Sequence, residues 1–237
     1  PIPMVPSAWA PWFESISKAF RESLELVGIR QELDLAASVQ HSILPRTWPQ
    51  QEDFGLWGSM RSAKEIGGDF YDHFPLAGGR IGIVVADVSG KGVPAALFGM
   101  VSKTLVRATA SSGGGAPNET IEVANHILCE DNDACLFVTT FYAVFDPGGG
   151  TLTYVNAGHP PPLLIHCDGT CEFIPATGGL ALGMAEGIPF SQATITLRPD
   201  DCVIIYTDGV TEAFDEKGEE FTPERLPPIF ANSRPKS

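Results

Sequence analysis

Positive charge is what this chain lacks most. It carries 15 Lys and Arg against 29 Asp and Glu, a formal net charge of -14. Such a balance repels a phosphate backbone, which argues against nucleic acid as a ligand and favours divalent cations or a basic partner surface. An ordinary solvated surface also accounts for much of that acidity. No run of 18 apolar residues occurs, so the segment does not itself span a membrane. Cys129, Cys135, Cys167, Cys171 and Cys202 form an odd set without a secretory signal, which points to a reducing, cytoplasmic setting rather than a disulfide framework. Cys167 and Cys171 lack a matching second pair for a zinc site. An internal repeat is absent, as is a Gly-x-x-x-x-Gly-Lys-Ser/Thr loop for nucleoside triphosphates.

What is present suffices for one large domain with an appendage: 237 residues, 43% of them apolar and 19% charged. Residues 12–43 contain no proline, and apolar side chains recur at Ile16, Phe20, Leu24 and Val27, then at Leu35, Val39 and Ile43. That spacing predicts an unusually long amphipathic helix, ended by Leu44-Pro45. Residues 1–45 are therefore expected to be a helical linker or a dimerisation arm, with packing on its own domain equally open. From residue 46 to 237 the pattern is that of a separate α+β domain. Short β-rich runs are expected at 54–60, 70–76, 81–88, 137–145, 151–156, 163–166 and 202–207, with helices over 93–110 and 119–130. Consecutive hairpins with a helix pair inserted between them suggest a layered α+β fold rather than a βαβ repeat.

Asp69, in Gly67-Gly68-Asp69, and Asp87, at the end of the apolar run Ile81 to Ala86, each lie nine residues from Gly78. A hairpin turning at Ala77-Gly78-Gly79 sets the two carboxylates side by side at the open end of its strands. Like charges so placed cost stability unless a cation lies between them. Oxygen-only ligation favours magnesium or manganese over zinc. Asp208 follows another apolar strand, where it serves equally well as a metal ligand or as a helix cap. His159 lies in a proline-rich turn. It is a candidate proton donor or phosphate contact, or a histidine that only bonds the backbone there. Arg61 and Lys64 are candidate phosphate contacts, with exposed surface the competing reading.

Together these segments resemble the SpoIIE/RsbU-like branch of the metal-dependent protein phosphatases, the protein phosphatase 2C superfamily. The matching stretches are AASVQHSILP (36–45), EIGGDFYD (65–72), ADVSGKGVPAAL (86–97), FVTTFY (137–142), YVNAGHPPP (154–162) and YTDGVTE (206–212), in family order. The resemblance implies a two-sheet antiparallel β-sandwich flanked by helices, with two divalent cations, Mn2+ or Mg2+, at one end. It implies that Asp87 bridges both ions, with the Val88 carbonyl beside it, that Asp69 serves one ion and that Asp208 holds the other.

The implied activity is dephosphorylation of a phosphoserine regulator, a STAS-domain anti-sigma-factor antagonist or a similar protein, in bacterial signalling. The implied setting is the cytoplasm, as the output domain of a membrane-anchored sensor or free of one, with homodimerisation through the N-terminal helix. One departure stands out. The family usually carries a last metal-binding aspartate in an Asp-Asp-x-Thr segment, and none follows Asp208 before Ser237. The expectation is that the domain lacks its last C-terminal strands. The alternatives are a pseudophosphatase that binds a phosphoprotein without turnover, and a hydrolase of small phosphoesters.

Overall fold

A computed structural model of the chain describes residues 9–61, 66–113, 116–130 and 132–230. The chain divides into two units at Ile43/Leu44. The first is a single helix, α1 (Ala10–Ile43), of 34 residues. Five of its large apolar side chains, Trp12, Ile16, Phe20, Leu24 and Leu35, are each more than half exposed. No helix among the described residues is long and apolar enough to cross a membrane.

In the second unit two antiparallel sheets are layered with helices. Strands β1 (Phe70–Pro75), β2 (Ile81–Val88), β3 (Val138–Asp146), β4 (Thr151–Ala157) and β7 (Ala193–Thr196) form a five-stranded sheet in the order β1-β2-β3-β4-β7. Strands β5 (Leu163–Ile165), β6 (Cys171–Phe173) and β8 (Cys202–Ile204) form a smaller one, ordered β6-β5-β8. Helices α2 (Val93–Ser112) and α3 (Pro117–Glu130) join β2 to β3. Each has a proline in its opening turn, where the missing N–H costs nothing. Short helices α4 (Asp208–Thr211) and α5 (Leu226–Phe230) follow β8.

Side-chain alternation along the strands assigns the layers. Phe70, Phe74, Val84, Ala86, Val88, Tyr142 and Val144 point to one face and pack with Val106 and Ala110 of α2 and Ile121, Ala124 and Leu128 of α3. Phe141, Ala143, Leu152 and Tyr154 point to the other and pack with Leu164, Ile174 and Val203 on the side of the small sheet. The outer side of that sheet is covered by Leu226 of α5, which meets Leu163, Ile165 and Tyr206. Each large side chain so buried contributes about 1.5–3 kcal/mol. The expected α+β sandwich with flanking helices is the fold observed.

Three local expectations change. Residues 54–60 form no strand and contribute only an isolated bridge, Gln50 to Gly55. Gly58 there packs so closely on the Trp48 ring that a Cβ would lie 2.6 Å from it. β8 stops at Ile204, so Ile205 to Thr207 leave the ladder. β6 and β7, of three and four residues, were not expected at all.

Candidate metal centre

The hairpin of β1 and β2 turns through Ala77 to Gly79, with Gly78 and Gly79 both at φ 76°, the left-handed region that glycine enters freely. From this turn the register runs Pro75 opposite Ile81 to Phe70 opposite Ala86. Continued one step beyond the ladder, this register leads to Asp69 and Asp87, whose side chains are within hydrogen-bond reach of one another. Because Phe70, Ala86 and Val88 face the helices, alternation sends Asp69 and Asp87 to the other face of the sheet.

The tight approach of α2 holds this end of the hairpin in place. A Cβ on Gly99 would lie 2.9 Å from the Gly68 carbonyl, and a Cβ on Gly68 would lie 2.8 Å from the Val88 carbonyl. Only glycine at both positions lets helix, Asp69 segment and Val88 backbone come together. The Val88 carbonyl thus lies close against the segment that carries Asp69.

Asp87 is half-buried, and its carboxyl is pushed up from 3.8 to about 8. Burial is the largest cause; the hydrogen bond and charge of Asp69 come next, then the charges of Asp208 and Glu212. Among the described residues no ion pair reaches Asp69, Asp87 or Asp208. Asp208 is exposed at the start of α4, preceded by Thr207, whose hydroxyl donates to Asp69 Oδ2 at 2.7 Å. The acidic side chains do not form a closed cage. Among the described residues, no group of three His, Cys, Asp or Glu side chains is gathered closely enough to hold an ion unaided. What the fold brings together is the Asp69 and Asp87 pair; the charges of Asp208 and Glu212 act on Asp87 as well.

His159 lies beneath this end of the sheet and is only 5% exposed. Its backbone N–H donates to Asn156 Oδ1 at 2.8 Å, and its Nδ1 lies 3.0 Å from the Thr139 hydroxyl, which is also 3.4 Å from the Asp87 carbonyl. Its Nε2 is buried and has no hydrogen-bond partner among the described residues. Burial is the main cause that lowers its pKa to about 4, so the ring is neutral near pH 7. Arg61 is exposed. Lys64 lies outside the described residues.

Sequence reasoning missed Thr207, Thr139 and Glu212. Thr207 and Glu212 both sit inside the Tyr206 to Glu212 motif, and Thr139 inside Phe137 to Tyr142, so proximity to a motif was the only signal. Gly99, inside α2, gave none.

Comparison with known proteins bears on the family and the fold. The family described as Stage II sporulation protein E (SpoIIE) matches residues 77–237. The phosphoserine phosphatase RsbU of Bacillus subtilis is 32% identical over 204 residues, covering 84% of this chain and 60% of RsbU. The chain therefore spans less than two thirds of that relative. Among solved structures, the RsbU and RsbW domains of Rv1364c from Mycobacterium tuberculosis match with a TM-score of 0.59 at 31% identity, over 66% of this chain and 43% of theirs. The SiaA-PP2C domain of Pseudomonas aeruginosa reaches a TM-score of 0.70 over 88% of this chain and 83% of its own, at 20% identity, a likeness of fold.

Proposed function

Since the chain belongs to the SpoIIE family, the SpoIIE/RsbU-like branch of the metal-dependent protein phosphatases, we propose that it hydrolyses phosphoserine on a regulatory protein with the help of divalent cations. The observation that carries this reading is the pair of Asp69 and Asp87, set together with no ion pair to a basic side chain among the described residues and with Asp87 raised to about 8. Two carboxylates so placed fit a divalent cation, which offsets the charge that burial and Asp69 penalise. The donors are all oxygens, as a hard cation such as Mn2+ or Mg2+ prefers.

Asp69, Asp87 and the Val88 carbonyl would hold cations, with Asp208 completing the ligation of a second one. When bound, the ions supply Lewis-acid stabilisation of the phosphoryl oxygens and a water of lowered pKa. The protein's own part is positional: Asp87 is fixed within β2, the hairpin brings the segment that carries Asp69 up to it, and the Gly68 and Gly99 contacts fix the Val88 carbonyl. Arg61, being exposed, is free to approach a phosphate, whereas His159 has its ring enclosed.

The name of RsbU and the pairing of RsbU and RsbW domains in Rv1364c support a substrate from bacterial partner switching, a phosphorylated STAS-domain protein or a similar one. The net charge of -14 suits a basic docking face on that partner. The exposed apolar residues of α1 suit pairing with the same helix of a second copy. The setting we propose is the cytoplasm, with or without a sensor attached. A second reading, a pseudophosphatase that binds the phosphoprotein without turnover, is favoured by the lack among the described residues of a third acidic side chain gathered onto the pair.

The test is phosphate release from a phosphoserine STAS-type protein with Mn2+, Mg2+ or EDTA. Metal-dependent release by wild type, lost in Asp87→Ala, is the expected result. Binding of the phosphoprotein without release selects the pseudophosphatase, and faster turnover of small phosphoesters selects a different hydrolase.

A further inference from the structure

Thr207 occupies the N-cap position of α4, where a threonine hydroxyl ordinarily accepts a backbone N–H of the first turn. Here it makes no such bond. The hydroxyl turns away and donates to Asp69 Oδ2 at 2.7 Å, across 138 residues of sequence. A hydrogen bond to a carboxylate this short is charge-assisted and about twice as strong as a neutral one. Asp69 needs such a partner, because it precedes the first residue of β1 and the ladder that fixes its neighbours begins only at Phe70. The segment from Ile205 to Thr207 has likewise left the ladder of β8.

We propose that Thr207 is a positioning residue of the metal centre: its hydroxyl orients the Asp69 carboxylate and ties the segment bearing Asp208 to the strand end bearing Asp69. This deepens the phosphatase reading and rests on it. The hydroxyl does not compete with a cation for Asp69, since a carboxylate offers about four lone-pair sites and one hydrogen bond uses a single one. It fixes the direction in which the remaining sites point. The same bond makes Asp69 and Asp208 move together, although α4 is a single short turn. Partners that orient ligands in this way change metal affinity by about 10–100-fold when removed.

The experiment is titration of the chelated whole chain with Mn2+ by calorimetry, for wild type, Thr207→Val and Thr207→Ser, with phosphate release followed against Mn2+ concentration. Thr207→Val is expected to bind Mn2+ about 10–100-fold more weakly. Its kcat should be largely restored at saturating Mn2+, with its melting temperature in EDTA near that of wild type. Thr207→Ser, which keeps the hydroxyl, is expected to stay within a few-fold of wild type. If Thr207→Val does not fold, Thr207→Ala against Thr207→Ser carries the same test. Equal affinity in Thr207→Val and wild type overturns the inference alone, as does a Thr207→Ser variant as weak as Thr207→Val. A wild-type chain that binds no Mn2+ overturns the phosphatase reading together with it.

Discussion

Asp69, just before the edge strand β1, and Asp72, within it, lie three residues apart, and the protein treats them in opposite ways. Alternation turns Asp72 toward the helices with Phe70 and Phe74, where its side chain is wholly buried. There it receives Lys103 Nζ of α2 at 2.8 Å and Arg107 Nη1 at 3.0 Å, and the Arg107 guanidinium also lies 5.4 Å from the centre of the Phe74 ring. Asp69 faces the other way and meets Asp87 and a threonine hydroxyl, with no basic group among the described residues. Asp72 is neutralised from within the fold. Asp69 and Asp87 have no such ion pair among the described residues.

The largest effect on this contrast comes from emptying the uncompensated side. Asp87→Ala should lower kcat for phosphoprotein hydrolysis by roughly a thousandfold or more, since Lewis-acid stabilisation is worth several kcal/mol and each ~1.4 kcal/mol is tenfold. Steady-state phosphate release measures it, and a mutant within tenfold of wild type would sink the metal-centre assignment.

On the compensated side, Lys103→Met should cost about 3–5 kcal/mol, because it leaves the buried Asp72 with the half-exposed Arg107 as its one cationic partner among the described residues, beside the His73 backbone N–H. Pairing it with Asp72→Leu should recover most of the loss. Urea unfolding of the single and double variants reads both, and a double variant no better than Lys103→Met would contradict the ion-pair account.

The third prediction concerns pH. In the metal-free protein the Asp87 carboxyl sits near 8 instead of 3.8, so the folded state keeps a proton that the unfolded chain has released. That contribution to stability is full below about pH 4 and is lost as pH rises toward 8. His159, lowered to about 4 from 6.5, has the opposite sign: its contribution is full above 6.5 and lost as pH falls. Melting in EDTA from about pH 6.5 to 8 isolates the Asp87 term and should show a falling midpoint, flattened by Mn2+ or by Asp87→Asn. A midpoint that rises over this range would refute the paired-carboxylate geometry. Smallest of all, Arg107→Ala should cost about 1 kcal/mol, because its side chain is 47% exposed and its charge is screened.

The carboxylate pair was legible in the sequence because a hairpin register is local arithmetic: two glycines mark the turn, and equal distances on either side of it determine which residues face. The long helix, the two inserted helices and the main strands were legible for the same reason, since their periodicity lies within each segment. The partners of Asp72 were not, because Lys103 reaches it from the buried face of a helix 31 residues further on. Thr207 was hidden more deeply, since nothing near it in the chain announces Asp69. β6 and β7 escaped notice because runs this short have no period of their own and exist only through the neighbours they pair with. The reverse error at residues 54–60 arose where aromatic content suggested a strand and two glycines prevented one.

Gly68 and Gly99 carry no group that touches a phosphate, yet the distance between α2 and the Val88 carbonyl depends on both. A single methyl at either position wedges the helix from the hairpin and displaces the oxygens of the proposed metal centre. In a saturation-mutagenesis map of activity these two positions should therefore be as intolerant as the aspartates, for reasons of volume alone, and a chain that had lost them would keep every ligand and still lose the site.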